Sequence, residues 1–400
     1  MEQTYFRKGF GLKSAIEGAL AGDYHSRVVD AVRSAGYGLT IGDLTFRLAR
    51  EFGFCYGVDR AVEYAYETHT KFPDRRLFLV GEIIHNPHVN DKLRAMGVTT
   101  LHRPDGGEFD FGAVRADDVV ILPAFGVTVK DFERLRGIGC VLVDTTCGSV
   151  LNVWKRVDSY AKDGFTAVIH GKAYHEETKA TASQVNKYPG GKYVVVRDMG
   201  EARVVCEYVE GAGSRERFVE LFASKSSPGF DPDRDLERVG VANQTTMLSN
   251  ESLAIAAEVR ASVARRYGEA ALANHFRTFD TICSATQDRQ DAVLKLIADP
   301  LDVMVVIGGY NSSNTTHLAA ICQAQVPTYH IEDATCIDAR TGGIRFQPVG
   351  SRTEQRRGEW LPAGAVTVGV TAGASTPNNK IGETIERIAA IRGLRLDRVV

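Results

Sequence analysis

The sequence has no excess of charge of either sign and no long apolar run. Its 400 residues include 48 basic and 50 acidic side chains, so nothing favours a general nucleic-acid or membrane surface. No apolar run approaches the roughly 20 residues that a membrane-spanning helix needs. The N-terminal stretch MEQTYFRKGFG also lacks the apolar segment of a signal peptide. We therefore expect a cytoplasmic protein with no nucleic-acid partner and no membrane partner.

Several common site motifs are also missing. The seven cysteines include no CxxC pair, which excludes local zinc ribbons and ferredoxin-type runs. An odd number of cysteines in a large intracellular chain does not suggest a disulfide framework. The chain has no GxxxxGK[ST] loop and no convincing GxGxxG, so neither nucleotide hydrolysis nor NAD binding is favoured.

What is present is a local pattern that occurs three times. Cys55, Cys147 and Cys283 each follow a short strand-like run and open a helix-like run. In each case a second strand-like run ends in polar residues, at His85, His175 and Ser312, and a third ends at Phe125, Thr245 and Ser375. Apolar runs of this length that alternate with helical patterns predict βαβ units and a parallel sheet. The spacing therefore indicates a threefold internal repeat.

The repeat predicts an α/β fold of three pseudo-repeated units with mainly parallel sheets, arranged around one central cofactor. Ligands of such sheets bind beyond the carboxyl ends of the strands, so the polar strand ends are expected to converge on one cavity. The predicted limits are an N-terminal extension at 1–43, unit one at 44–139 with Cys55, unit two at 140–274 with Cys147, unit three at 275–393 with Cys283, and a C-terminal tail at 394–400.

The repeated cysteines favour an iron–sulfur cluster. Thiolates are preferred ligands of iron–sulfur centres and zinc, and a helix that begins just after a cysteine lowers the pKa of its thiol. Three protein ligands on a four-iron cluster leave one iron open to substrate. A zinc ion on the same three thiolates, or three unrelated core cysteines, are the alternatives. We interpret the cysteines outside the repeat as structural, namely Cys140, Cys206, Cys322 and Cys336.

The segment HGKAYHEET places His170, His175, Glu176 and Glu177 at a strand end. A carboxyl group in a closed cavity beside an anionic substrate has a raised pKa, which suits proton delivery. The alternative is a solvated helix N-terminus, where glutamate is common and stabilising. Glu176 fits that alternative better than Glu177, but the sequence pattern alone does not separate them.

Three other segments predict an anion site. GGYNSSNTTH, NQTTMLSNES and TAGASTPNN are rich in hydroxyls, amides and glycines directly after apolar strands. Backbone N–H groups at a helix start, together with Ser and Asn side chains, form the kind of site that holds phosphate. Each segment alone is equally consistent with ordinary helix capping. Their matched positions in the repeat indicate a shared ligand, to which His85 and His175 would add donors.

These motifs together resemble those of the 4-hydroxy-3-methylbut-2-enyl diphosphate reductases, which catalyse the last step of the non-mevalonate isoprenoid pathway. The resemblance spans roughly residues 50–380 and lies in GFCYGVDRA, IIHNPHV, DTTCGSV, HEETKAT, NQTT, ICSATQDRQ, NSSNTTHL and TAGAST. It implies one [4Fe–4S] cluster per chain, ligated by Cys55, Cys147 and Cys283, with the remaining iron open to the substrate hydroxyl. It also implies that Glu177 donates the proton. The implied substrate and diphosphate contacts are His85, His175, Thr245, Ser312, Ser313, Asn314 and Ser375.

The resemblance further implies the reaction and its partners. The expected activity is reductive dehydroxylation of a small allylic diphosphate to isopentenyl and dimethylallyl diphosphate. The expected donor of the two electrons is a ferredoxin or flavodoxin. A redox-neutral [4Fe–4S] hydro-lyase and a non-enzymatic metal or iron–sulfur sensor are the alternative classes, and the density of polar strand ends argues against the sensor.

One position departs from the commoner bacterial pattern of that family. Where many members have a histidine followed by glycine, this sequence has AFG, with Phe125 at the histidine position. Phenylalanine has no hydrogen-bond donor, so this part of the predicted diphosphate site lacks one contact. The AFG form and the N-terminal extension resemble the plant and cyanobacterial branch.

Overall fold

The computed structural model describes residues 4–104, 107–279 and 281–396. The chain divides into two compact units. The first contains the residues up to Arg7 together with Asp74–Ile83 and Val98–Cys283. The second contains Lys8–Pro73, Ile84–Gly97 and the residues from Ser284 onward. Most of the predicted tail, residues 397–400, lies outside the described residues.

Helices and strands alternate along most of the chain. The helices are α1 Lys13–Tyr24, α2 Arg27–Ser34, α3 Tyr56–Lys71, α4 Pro87–Ala95, α5 Val129–Ile138, α6 Gly148–Lys162, α7 Glu176–Ala182, α8 Met199–Val209, α9 Arg215–Phe222, α10 Pro232–Asp235, α11 Ser249–Tyr267, α12 Leu272–His275, α13 Ser284–Ile297, α14 Ser313–Gln323 and α15 Asn378–Ile391. The strands are β1 Tyr5–Phe6, β2 Gly38–Ile41, β3 Leu44–Leu48, β4 Leu77–Val80, β5 Val98–Leu101, β6 Val119–Leu122, β7 Val141–Asp144, β8 Thr166–His170, β9 Tyr193–Val196, β10 Val239–Asn243, β11 Phe276–Thr278, β12 Val303–Ile307, β13 Thr328–Ile331, β14 Ile337–Asp338, β15 Gly343–Phe346, β16 Gln355–Arg357 and β17 Val366–Ala372. Across the described residues, no helix is both long and apolar enough to cross a membrane.

The sheets are mainly parallel, as predicted. The first unit has two parallel sheets, with strand orders β1-β7-β6-β4-β5 and β11-β10-β8-β9. The second unit has β13-β12-β17-β3-β2, in which only β2 is antiparallel, and a small antiparallel sheet β14-β15-β16. The predicted α/β fold class is therefore confirmed.

Burial explains why the strand segments are continuous apolar runs. Every residue of β4 (LFLV), β6 (VVIL) and β12 (VMVVI) is buried, because helices cover both faces of an inner parallel strand. By contrast, β3 (LTFRL) alternates between buried and half-buried residues and pairs with the edge strand β2. The apolar pattern thus distinguishes strands that are buried on both faces from a strand that is buried on one face only.

The threefold repeat of the sequence has a counterpart in the strand order. The orders β5-β4-β6-β7, β9-β8-β10-β11 and β13-β12-β17-β3 are the same arrangement of equivalent strands in three sheets. In each sheet the last strand is the one that precedes a repeated cysteine, and it pairs with the third strand of a different repeat: β7 with β6, β11 with β10, and β3 with β17. Strand pairing therefore runs across the predicted limits of the units at 139/140 and 274/275, and those domain limits stay predictions.

Helix α6, which follows Cys147, shows how packing fixes a helix on its sheet. Its apolar stripe includes Val153, Val157 and Tyr160, which are fully buried. The Tyr160 ring lies on Gly240 of β10, where an added Cβ would be 2.6 Å from the ring. The Tyr160 hydroxyl donates to the carbonyl of Val241 at 2.9 Å. Glycine at 240 therefore allows α6 to approach the sheet closely.

We expect Gly240→Ala to destabilise the protein by about 1–3 kcal/mol, because the new methyl group would overlap the Tyr160 ring in a packed core. The midpoint of thermal unfolding would measure the loss. Gly137→Ala in α5 is the matched control, since nothing lies within 4 Å of the added methyl group there. Equal midpoints for the two variants would contradict the close packing of Tyr160 on β10.

Candidate functional site

Each cysteine of the predicted trio lies directly before a helix. Cys55 and Cys147 are the N-cap residues of α3 and α6, and Cys283 immediately precedes α13. Strands β3, β7 and β11 precede the same cysteines in the chain. The predicted sequence of strand, cysteine and helix is therefore present at all three positions.

A repeated backbone hydrogen bond fixes two of these cysteines. The N–H of Cys147 donates to the carbonyl of Ala124 at 2.7 Å, and the N–H of Cys55 donates to the carbonyl of Ala374 at 3.2 Å. Ala124 lies two residues beyond β6, and Ala374 lies two residues beyond β17. These bonds hold both cysteines at the carboxyl edge of a parallel sheet, which is where such sheets bind ligands.

The trio differs from the other cysteines in exposure. The trio cysteines are partly exposed, whereas Cys140, Cys206, Cys322 and Cys336 are buried in hydrophobic core clusters. Burial raises the pKa of Cys140 to about 11 and the pKa values of Cys206 and Cys322 to about 12. These three thiols do not readily form the thiolate that binds a metal, which agrees with the structural interpretation of Cys140, Cys206 and Cys322.

Ser149 connects the two trio cysteines of the first unit. The pKa of Cys147 is raised, chiefly by burial and also by the negative charge of Cys283. The backbone N–H and the hydroxyl of Ser149 act in the opposite direction and lower it. The same hydroxyl donates to Sγ of Cys283 at 3.4 Å. We expected the N-terminus of α6 to lower the pKa of Cys147. Burial raises that pKa by more, because it penalises the thiolate anion. Coordination to a metal offsets that penalty, since a coordinating thiol is deprotonated.

The donor set is suited to an iron–sulfur cluster. Cys147 and Cys283 belong to the first unit and Cys55 to the second. In neither unit, as far as the chain is described, do three His, Cys, Asp or Glu side chains lie close enough to hold one metal ion. Neither unit thus provides by itself a closed zinc site of the structural kind. Three soft thiolates on separate helix starts match the ligand preference of iron–sulfur centres.

In the first unit, His175, Glu177 and Thr245 are in direct contact. His175 is the N-cap residue of α7, and its Nδ1 accepts a hydrogen bond from the N–H of Glu177 at 3.2 Å. Oε1 of Glu177 accepts a hydrogen bond from the N–H of Thr245 at 2.5 Å. The Glu177 side chain is only 3% exposed. An Nδ1 that accepts leaves the proton of the neutral ring on Nε2, so His175 presents an N–H donor.

The structure separates the two adjacent glutamates. Glu176 forms ion pairs with Arg103 at 2.8 Å and with Lys179 at 3.0 Å, and it is 29% exposed. Arg103 in turn lies 3.9 Å from the ring centroid of Phe109, which holds the guanidinium in place. Glu176 therefore anchors the outer side of the first turn of α7, whereas Glu177 points into the protein.

Phe125 packs against the imidazole of His175. The two ring centroids are 6.3 Å apart, and the planes meet at 70°. The next residue, Gly126, has a φ of +76°, and the Trp154 ring lies 2.4 Å from the position that a Cβ would occupy there. The AFG segment therefore supplies an apolar wall for His175 instead of a hydrogen-bond donor.

In the second unit, helix α14 begins at the predicted anion segment. Ser312 is its N-cap residue, and Oγ accepts the N–H of Thr315 at 3.3 Å. Ser313 and Asn314 follow in the first turn and are buried. The first N–H groups of a helix have no partner within the helix, and the positive end of the helix dipole favours an anion.

His85 lies against the same strand ends of the second unit. Its carbonyl accepts the hydroxyl of Ser375 at 3.1 Å, and its Nδ1 lies 3.4 Å from Nδ2 of Asn311. Oδ1 of Asn314 accepts the N–H of Ala374 at 2.9 Å. Nδ2 of Asn314 is buried and has no hydrogen-bond partner among the described residues. A buried donor without an acceptor costs about 1–3 kcal/mol, so this amide is ready to bind an acceptor on a ligand.

Three polar residues that contact this site were not predicted from the sequence. Gln244 accepts hydrogen bonds from the Thr178 hydroxyl and the Lys172 N–H, Asn311 contacts His85, and Ser149 contacts both thiols. Each stands within two residues of a predicted site residue, in NQTT, NSSN or TCGS. Their position within these motifs was the one sequence signal that could have identified them as site residues. None of the three has a titratable side chain, so none stood out as a candidate for chemistry.

A sequence model of the LytB protein family matches residues 46–389 of this chain. The matched range contains the three trio cysteines, Glu177 and the polar strand ends described above. It also covers most of both compact units.

The chain is similar over nearly its full length to curated cyanobacterial enzymes. The 4-hydroxy-3-methylbut-2-enyl diphosphate reductase of Gloeobacter violaceus is 49% identical over 396 residues, which cover 98% of this chain and 94% of that protein. The enzyme of the same name from Thermosynechococcus vestitus is 47% identical over 393 residues, covering 98% and 96%. The predicted likeness to the cyanobacterial branch is therefore confirmed.

Two solved structures have the same fold. The structure of an (E)-4-hydroxy-3-methyl-but-2-enyl diphosphate reductase, described as the terminal enzyme of the non-mevalonate pathway, has a TM-score of 0.53 and 29% identity, and covers 86% of this chain and 98% of that chain. The structure of the E-1-hydroxy-2-methyl-but-2-enyl-4-diphosphate reductase from Plasmodium falciparum has a TM-score of 0.63 at 20% identity, covers 86% of this chain and 87% of that chain, and supports the fold alone. By sequence and by fold, this chain belongs to the LytB family of 4-hydroxy-3-methylbut-2-enyl diphosphate reductases.

Proposed function

We propose that this enzyme converts 4-hydroxy-3-methylbut-2-enyl diphosphate to isopentenyl and dimethylallyl diphosphate by reductive dehydroxylation. The reaction consumes two electrons and two protons, breaks the allylic C–O bond and releases water. The observation that carries the proposal is the repeated placement of three partly exposed cysteines at helix starts in a chain of this family. A ferredoxin or flavodoxin is the proposed electron donor.

We infer that Cys55, Cys147 and Cys283 ligate one [4Fe–4S] cluster per chain. The cluster, when bound, supplies the electrons and one iron without a protein ligand. The positive ends of α3, α6 and α13 favour the negative charge of thiolates and sulfides. Ser149, which contacts Cys147 and Cys283, is placed to donate a hydrogen bond to cluster sulfur and so to tune the reduction potential.

The diphosphate is proposed to bind where polar side chains and helix N–H groups meet. In the second unit, the first turn of α14 presents N–H donors, and the buried Nδ2 of Asn314 points to an anionic acceptor. In the first unit, Nε2–H of His175 is a further donor, and Phe125 restricts the orientation of that ring. The proposed contacts are His85, His175, Thr245, Ser312, Ser313, Asn314 and Ser375.

Glu177 is the proposed proton donor. Because Oε1 accepts the N–H of Thr245, the proton of the acid is assigned to Oε2. The same N–H stabilises the carboxylate that remains after proton transfer. Burial of Glu177 keeps bulk water from competing for the proton. The ion pairs of Glu176 with Arg103 and Lys179 hold the turn in which Glu177 lies.

Anaerobically purified enzyme is expected to contain about four iron and four acid-labile sulfide atoms per chain, as in a cubane cluster. Cys147→Ser should lower both contents, because a hydroxyl is a poorer ligand for iron–sulfur than a thiolate. Cys206→Ser should retain both, since Cys206 lies in a hydrophobic core. Colorimetric iron and sulfide assays measure the difference. Zinc without sulfide, in protein prepared under strict exclusion of oxygen, would refute the cluster.

We expect Glu177→Gln to retain the cluster and to bind substrate with a similar KM, but to lower kcat by about 10²- to 10⁴-fold, the usual contribution of a general acid. Turnover with reduced methyl viologen under anaerobic conditions measures the effect. The matched control is Glu176→Gln, which removes a neighbouring carboxylate of the same kind and should lower kcat by less than about tenfold. Wild-type turnover in Glu177→Gln would exclude the proton-donor role.

A further inference from the structure

Gln244 is a buried glutamine at the carboxyl end of β10, next to Thr245. Its side chain is fully buried, and the residue directly follows Asn243, with which β10 ends. The backbone N–H of Gln244 donates to the carbonyl of His170, the last residue of β8, at 2.8 Å. Because β8 and β10 are parallel neighbours, this bond fixes Gln244 at the edge where both strands end.

The side-chain oxygen of Gln244 accepts two hydrogen bonds from one segment of the chain. Oε1 accepts the backbone N–H of Lys172 at 3.1 Å and the hydroxyl of Thr178 at 3.0 Å. These two donors lie before and after His175 and Glu177 in the sequence. A single oxygen atom therefore holds both ends of the stretch that contains a proposed diphosphate contact and the proposed proton donor.

The remaining contacts of the amide fix its orientation. Nε2 donates to the hydroxyl of Thr246 at 2.7 Å, so the oxygen and the nitrogen each have partners of the matching kind. Gly171 allows the close packing, since a Cβ there would lie 2.8 Å from Oγ1 of Thr178 and 3.1 Å from Cβ of Gln244. Buried polar networks of this kind rigidify the segments that they join.

Two adjacent hydrogen bonds connect α7 to the segment that follows β10. Thr178 donates to Gln244, and the neighbouring Glu177 accepts the N–H of Thr245. Helix α7 has only seven residues, and a helix this short is not stable by itself in water. The position of Glu177 therefore depends on contacts with neighbouring segments, of which these two bonds are the nearest along the chain.

Resting on the proposed function, we propose that Gln244 is a positioning residue for the proton donor. It acts through the stretch between Lys172 and Thr178, which it holds so that the carboxyl of Glu177 stays against the N–H of Thr245. A displacement of about 1 Å at a reacting group can lower a rate by about 10²-fold. Substrate binding depends less on this stretch, because most of the proposed diphosphate contacts lie outside it.

The test removes the amide and keeps the size of the side chain, in the variant Gln244→Met. With reduced methyl viologen under anaerobic conditions, we expect kcat to fall by about 10- to 100-fold. The KM for the diphosphate substrate should stay within about threefold of the wild-type value, because the lost interaction acts in the chemical step. Iron content per chain should be unchanged.

Gln184→Met is the matched control. Gln184 is also a buried glutamine, 2% exposed, and its Nε2 donates to the carbonyl of Ala180 in α7 at 3.0 Å. Both variants lose buried hydrogen bonds and should lower the midpoint of thermal unfolding, but Gln184→Met should keep kcat within about twofold of wild type. Equal losses of kcat in the two variants would leave Gln244 a purely structural role and overturn the proposal.

Thr178→Val removes the same hydrogen bond from the other side, and it tests the proposal even if Gln244→Met does not fold. Alone it should lower kcat in the same direction as Gln244→Met. The double variant should have a kcat within about twofold of that of Gln244→Met, because changes that remove one shared bond are not additive. A wild-type kcat in Thr178→Val, or losses that multiply in the double variant, would contradict positioning through this bond.

Glu177→Gln, assayed in parallel, separates this proposal from the proposed function. Wild-type turnover in Glu177→Gln would overturn the proton donor itself. Impaired turnover in Glu177→Gln together with wild-type turnover in Gln244→Met would overturn the positioning role alone.

Discussion

The hydrogen bond from the N–H of a cysteine to a carbonyl just beyond the neighbouring strand is the constraint on which the candidate site depends. At Cys147 and Cys55 this bond reaches the second residue after β6 and β17, respectively. It fixes the end of one strand, the start of the next helix and the end of the adjacent strand relative to one another. Because the segments AFG and AGAS follow those same strands, the bond also places them beside the cysteines.

The anionic groups proposed for this enzyme all meet the starts of helices. Thiolates belong to α3, α6 and α13, the diphosphate to α14, and the carboxyl of Glu177 to α7. Unpaired N–H groups and the helix dipole offset negative charge there, whereas burial penalises it, as the raised pKa of Cys147 shows. The fold therefore concentrates negative charge where the backbone can compensate it, and the rest of each sheet stays apolar.

Much of this arrangement could be predicted from local sequence patterns, and the remainder depends on contacts between distant segments. The apolar runs identified the strands, and the repeated context of the cysteines distinguished them from Cys140, Cys206, Cys322 and Cys336. Which sheet each strand joins could not be read locally, since β3 pairs with β17 and not with β4. The different environments of Glu176 and Glu177 also depended on Arg103, which is far away in sequence.

The pairing of β3 with β17 has a consequence for synthesis on the ribosome. Leu44 of β3 pairs with Val366 of β17, so the β2–β3 hairpin emerges long before its partner strand exists. At about 5–20 residues per second, the interval is on the order of tens of seconds. During that time one edge of β3 presents unpaired N–H and C=O groups, which is the feature that promotes association with other chains. Chaperones that act on the nascent protein would therefore find their substrate in this hairpin, near the beginning of the chain.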